Sequence, residues 1–247
     1  MKFTFRHYIS IYVFLCSFVF SQKENIFGSV SVLVASPQGQ FSEFVSNNAY
    51  GLDLDGGWNF NNTPFSIGMN FSFGTYGKLK RKIPFNYFSD LISLTETTES
   101  DIMMINPYVK MSLDFAKSFS LHMKGFGGYQ ILKTSSTIKN DDQEYYNDDS
   151  GNEKPYIAKS DVFEDGAFSY GYGIGIRFPI PFINNKYQNL LMNIEFKWST
   201  GGEAEYLNAG KEGSIIFSDS SNGPVTTKLN PDRSKTDLFN ISIGIGI

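Results

Sequence analysis

Cysteine is almost missing from this chain: its 247 residues hold one, Cys16, inside an apolar stretch near the N-terminus. A disulfide scaffold is excluded, so the fold must be held by a core or by a closed hydrogen-bonded sheet. Histidine is nearly as scarce, and there is no basic excess, with 21 Lys and Arg against 25 Asp and Glu. The footprint of a nucleic-acid-binding protein is therefore absent. Long hydrophobic runs are missing too. The run Tyr8 to Phe20 spans 13 residues, short of the roughly 20 that a membrane-spanning helix needs. A buried helical bundle is excluded, and the apolar residues, 41% of the chain, must be interleaved with polar ones.

That one apolar run has a specific setting. Lys2 and Arg6 precede it, and Val19 and Ser21 supply small residues before a cut at Gln22. Residues 1–21 read as a secretory signal peptide and 22–247 as one mature domain. Cys16 follows Leu15 rather than a small residue and lies inside the apolar run, which argues against lipid attachment. Cleavage removes the cysteine and two of the 21 basic groups but no acidic one, leaving 19 against 25 and a net charge of −6.

What the mature chain has is strict two-residue alternation, repeated eight times. It begins with Ile26, Val30, Val32 and Val34 and continues with Tyr50, Leu52, Leu54, Trp58 and Phe60, then Phe65, Ile67, Met69, Phe71 and Phe73. Val109, Met111, Leu113 and Phe115 follow, then Phe119, Leu121, Met123, Tyr129 and Ile131. The last three sets are Phe168 to Phe178, Leu190 to Trp198, and Phe239 to Ile247 at every second position. The opposite face of each is mostly Gly, Ser, Asn and charged residues. A soluble barrel would also alternate, with its apolar face inside. Eight strands enclose room only for moderate side chains, and Phe, Trp, Tyr, Ile and Leu at nearly every apolar position would overfill it. The large residues are expected outside and the small and charged ones inside. An apolar exterior calls for a bilayer, and a sheet in a bilayer must close.

Aromatics mark two rims: Trp58, Phe60, Phe65, Phe115, Phe119 and Phe178 at one, and Tyr50, Phe73, Tyr76, Tyr129, Phe168 and Trp198 at the other. Connections alternate in length. Asn61 to Pro64 and Ala116 to Ser118 are short and Pro179 to Asn189 is moderate, whereas Ser36 to Ala49, Gly77 to Ser100, Lys133 to Asp165 and Thr200 to Thr236 are long. Short periplasmic turns and long outer loops alternate in this way in outer-membrane barrels. The expected fold is all-β: an eight-stranded antiparallel up-and-down transmembrane barrel.

In this pattern the mature chain resembles the small outer-membrane barrels typified by the OmpA transmembrane domain, OmpX and the opacity-protein group. The stretches "PQGQF", "YGKLKRKIPF" and "NPYVKMSLDF" are similar to a set of bacterial outer-membrane barrels. The resemblance implies an outer-membrane location, contact with membrane lipid and lipopolysaccharide, insertion by the barrel-assembly machinery, and a monomer. It also implies an aromatic last residue, where this chain has Ile247.

Eight lumen-facing charges are expected: Asp53, Asp55, Asp114 and Glu195 against Lys110, Lys124, Arg177 and Lys197. Lys110 and Lys124 fall opposite each other across a tight turn, which is unfavourable alone. A central network of Asp55, Lys110, Lys124 and Glu195 is expected to fill the lumen. Ser120 and His122 share a face, but near the short turns and pointing inward, so His122 reads as a lumen residue and not a catalytic base. The acidic stretch Asn140 to Glu153 lacks the spacing of a calcium loop and reads as a solvated outer loop. Lys78, Lys80, Arg81 and Lys82 stand just beyond the third strand, where lipopolysaccharide phosphates would lie. No metal, cofactor or catalytic residue is expected. The favoured function is a non-enzymatic outer-membrane barrel with a structural or surface-interaction role carried by its loops. A narrow channel or transporter for small or apolar compounds, and a secreted soluble ligand-binding barrel, are the alternatives.

Overall fold

Eight strands hydrogen-bond in chain order into a closed antiparallel ring: β1 Ile26–Pro37, β2 Ala49–Asn59, β3 Phe65–Asn86, β4 Ser89–Ala116, β5 Phe119–Asn140, β6 Ala158–Pro179, β7 Leu191–Gly201 and β8 Leu238–Gly246. The computed structural model describes residues 25–86, 89–116, 119–140, 146–147, 153–154, 156–180, 190–218 and 226–247. The signal-peptide reading of residues 1–21 lies outside them. Closure joins β8 to β1 from Pro37↔Leu238 to Ser29↔Gly246, and Ile247 continues the ladder by donating its N–H to the Gly28 carbonyl at 2.9 Å. The non-aromatic last residue thus takes part in the seam through its backbone.

The faces of the ring are inverted relative to a soluble protein. Phe71 and Ile243 are 47% and 45% exposed on the outside, whereas Lys124 and Glu195 are 6% and 1% exposed on the inside. Water cannot cover such an exterior favourably, because each exposed apolar Å² costs about 25 cal/mol. A bilayer can. Outside, rings gather at both rims: Phe115 meets Phe119 at 6.1 Å near one end, and near the other Trp198 stacks on Tyr172 at 5.3 Å and meets Phe239 at a tilt at 5.0 Å. Ile243 pairs with Val32 and Ile194 near the middle of β8. Ile243→Arg is expected to cost about 2–4 kcal/mol of folding free energy in lipid vesicles, read by urea titration; an unchanged midpoint would mean that this face does not meet hydrocarbon.

Three expectations need correction. Gly77 to Ser100 and Lys133 to Asp165 are not all loop, because β3 with β4 and β5 with β6 run on as paired strands to Asn86, Ser89, Asn140 and Ala158. Those extensions lack an apolar outer face because they have left the lipid, so the alternation that marks the crossing segments stops. Each residue rises about 3.3 Å, which carries the sheet up to roughly 30 Å past the rim. Tyr76, assigned above to an aromatic girdle, is instead buried and donates its hydroxyl to the Leu207 carbonyl at 2.8 Å. It sits in a β-bulge between Thr75 and Gly77. The extra residue reverses the parity of β3, so that Lys78, Lys80 and Lys82 face outward beyond it.

Candidate functional site in the barrel interior

The interior is filled in three layers. At the loop end, lumen-facing Leu33, Ala35, Tyr76, Ile102, Met104, Leu132, Ala167 and Leu238 make an apolar cup. Two segments from different loops fill it. One is the short helix α1, Gly39–Phe44, which inserts Phe41, with Val45 following it. The other is the stretch 203–209, whose strand Glu203–Tyr206 pairs with Asp232–Lys235. Phe41 packs edge-on against Tyr206 with centroids at 4.9 Å. The Tyr206 hydroxyl shares a 2.7 Å hydrogen bond with Ser234, and burial pushes its phenol up to about 12 against the opposing pull of that bond. The Ala209 N–H donates to Ser100 Oγ at 3.0 Å and the Asn208 amide donates to the Phe44 carbonyl at 3.3 Å, so the plug is bonded to the wall and to α1.

Beneath the plug lie the ion pairs. Lys197 Nζ donates to both Asp53 oxygens at 2.9 and 3.0 Å and to Asn70 Oδ1 at 3.1 Å, and Asn70 and Ser72 donate back to Asp53. Next along the axis, Lys124 bridges Asp55 and Glu195, reaching Glu195 at 2.9 Å. The Tyr108 hydroxyl donates to Asp55 at 2.7 Å, and His122 Nε2 lies 3.4 Å from Glu195. His122 reaches that carboxylate only because residue 175 is glycine: a Cβ there would come within 2.4 Å of Nε2.

Three of the four residues expected to form a network, Asp55, Lys124 and Glu195, are therefore brought together. Lys110 is not. It pairs in register with Lys124, and the two like charges diverge. Lys110 Nζ instead rests 3.1 Å from the centroid of the Phe27 ring, in a third layer with Tyr108 and Phe126 towards the chain termini. Sequence reasoning placed Asp53 and Lys197 in the lumen but did not pair them; Asn70 and Ser72, two and four residues beyond Gly68 on the same face of β3, were the signal for their support. Ser120 and His122 share the inward face, yet among the described residues no serine hydroxyl bonds to the His122 ring. Among the described residues there is also no cluster of three His, Cys, Asp or Glu that could hold a metal.

The basic stretch divides between two faces. Lys78, Lys80 and Lys82 are exposed on the outward face, and Lys78 pairs with Glu99. Arg81, expected with them, lies on the opposite face and pairs with Glu96. In register, Lys80, Thr97, Thr137 and Lys159 form one row across the projecting sheet and Lys82, Thr95 and Lys139 the next. The calcium-loop question at Asn140 to Glu153 falls largely outside the described residues.

A closed eight-stranded ring with an apolar exterior, two aromatic rims and a charged, filled interior defines a small transmembrane β-barrel of the outer-membrane type. No protein-family model and no curated protein matches the chain. Among solved structures, it is similar over 90% of its length to 95% of Neisserial surface protein A, with 9% identity and a TM-score of 0.36. It is similar, again over 90% of its length, to 97% of Ail, the attachment invasion locus protein of Yersinia pestis, in complex with the heparin analogue sucrose octasulfate, with 11% identity and a TM-score of 0.37. Another such structure is the outer membrane protease OmpT from Escherichia coli, with 10% identity, a TM-score of 0.33, and 90% of this chain and 96% of that one covered.

Proposed function

We propose that this chain is a non-enzymatic integral protein of the bacterial outer membrane, exported by residues 1–21, that seals its own lumen and acts through the sheet and loops at its loop end. The observation that carries this reading is the plug: Phe41 and Tyr206, from loops separated by most of the chain, meet inside the cup above two layers of ion pairs. A pathway for solute would have to break both. The sheet of β3 to β6 beyond the rim is what remains to meet the surroundings, and it carries Lys80, Lys82, Lys139 and Lys159 interleaved with threonines on the face that continues the lipid-facing side. Lipopolysaccharide phosphates are the fitting partner for that face, because lysine offers a point charge to phosphate and the rows stand beyond the aromatic rim on the loop side.

Two measurements test the proposal. Cell fractionation with a gel run before and after boiling is expected to find a heat-modifiable band in the outer membrane, and the purified protein is expected to show no conductance in planar bilayers. Steady conductance would favour the transporter reading, and a detergent-free soluble protein would favour the secreted barrel. The double reversal Lys80→Glu with Lys82→Glu is expected to assemble normally but to lose the rise in Tm that lipopolysaccharide gives the wild type in vesicles. An undiminished rise would remove the lipopolysaccharide contact and leave the barrel reading intact.

A further inference from the structure

The charges of the lumen do not balance where they are buried. Asp53, Asp55 and Glu195 are bound by Lys124 and Lys197, with Tyr108 and His122 adding bonds. The fourth lumen acid, Asp114, is exposed at the termini-end rim. Lys110, 2% exposed, and half-buried Arg177 are left with no carboxylate in ion-pair contact among the described residues. Lys124 and Lys197 thus take up all three buried carboxylates, and the two remaining basic side chains fall together in the termini-end layer. Both cations lie over one ring, with Lys110 Nζ at 3.1 Å and Arg177 Cζ at 5.8 Å from the Phe27 centroid. A ring attracts a cation weakly beside the cost of removing that cation from water.

Polar atoms around these two groups are also left without partners. Arg177 Nε is buried with no acceptor, and Asn193, its register partner on β7, has its side-chain oxygen without a donor. Ser120, Arg177's neighbour on β5, and Ser112 on β4 are half-buried, unlike the fully buried polar residues of the layers above. Asp114 lies in the same row two strands from Arg177 and makes no ion pair with it.

We propose that this termini-end cup binds one small oxyanion of the phosphate class, held between Lys110 Nζ and the Arg177 guanidinium above the Phe27 ring. The guanidinium offers a planar fork that two oxygens of such an anion match, Lys110 Nζ supplies a further donor to a third oxygen, and the bound anion gives both basic groups the counter-charge they lack in the lumen. Glu195 Oε1 is also without a donor, but it belongs to the layer above and is not in ion-pair contact with Lys110.

The test uses the full mature barrel folded in phosphate-free, non-ionic detergent. Inorganic phosphate is expected to raise Tm saturably, beyond chloride at equal ionic strength, and to broaden the phosphorus resonance of the added anion. Lys110→Met and Arg177→Gln are each expected to weaken that binding by about tenfold or more, the size of a lost charge-assisted hydrogen bond, and Asp114→Asn to leave it equal or tighter. A second arm replaces detergent by vesicles with and without phosphatidylglycerol in phosphate-free buffer. Protection by that lipid alone, lost in both variants, would assign the oxyanion to a headgroup. No gain from either source, or gains that survive both substitutions, would overturn the proposal. The phosphorus line width is read on folded protein, so a variant that is merely less stable does not imitate loss of the site.

Discussion

Lys124→Met is expected to lower the unfolding free energy by about 3–5 kcal/mol, the range for removing one partner of a buried ion pair. The substitution keeps most of the side-chain volume and removes the one ammonium that touches both Asp55 and Glu195. Those carboxylates would then face each other across the lumen, with Tyr108 and His122 as their remaining hydrogen-bond partners among the described residues. Urea titration in lipid vesicles, read by the gel shift between folded and boiled protein, measures the loss. Adding Asp55→Asn and Glu195→Gln to Lys124→Met is expected to return most of it, since the penalty lies in the stranded charges and not in the missing lysine. A single-variant loss below about 1 kcal/mol, the size of an exposed pair, would show that the layer is hydrated. The lumen would then be less tightly sealed than the plug alone suggests.

Phe41→Ala is expected to be nearly as costly, about 3–5 kcal/mol for an emptied aromatic site, but its effect should be confined to one end. Phe41 is 1% exposed and lies against Tyr206 and Tyr76, so its loss unseats both loop segments from the cup while the ion pairs and strand ladders below are untouched. Protease cleavage within 38–48 and 202–237 should rise sharply, with the heat-modifiable band retained. Conductance should stay absent, because Lys197 with Asp53 and Lys124 with Asp55 still cross the lumen. Cleavage rates equal to wild type would mean that the plug is held by its hydrogen bonds to Ser100 and Tyr76 of the wall rather than by packing.

How much of this could be read from the residues depended on what each one faces. Where a strand crosses lipid, its outer positions must be apolar and its inner ones small or polar, so Phe65 to Phe73 and Phe239 to Ile247 declare both strand and orientation. Beyond the rim that demand lapses. Leu79, Thr98 and Ser136 pair in one row, yet none of them is required to be apolar, and the sequence there looks like loop. Tyr76 was misplaced for a related reason: aromatic character suggested a rim, while its even position on β3 puts it inside. The plug was illegible because neither "GQFSEF" nor "EAEYLNAG" has a period of its own; Phe41 and Tyr206 are buried by tertiary contact alone. Within the site, the opposition of Lys110 and Lys124 followed from the short turn between β4 and β5. Which of them would hold the carboxylates did not, because that depends on how long side chains divide a shared space.

The plug also bears on the order of assembly. Phe41 and Tyr206 come from connections 165 positions apart, and both sit in a cup whose wall includes Leu33 of β1 and Leu238 of β8. That cup does not exist until the last strand has met the first, so the plug is a latch set after the ring has closed. Contacts formed so late contribute little to the rate of insertion and act almost wholly on the rate of escape. In this barrel, a few aromatic side chains that never touch lipid therefore act on how long the loop end stays sealed rather than on how fast the ring forms.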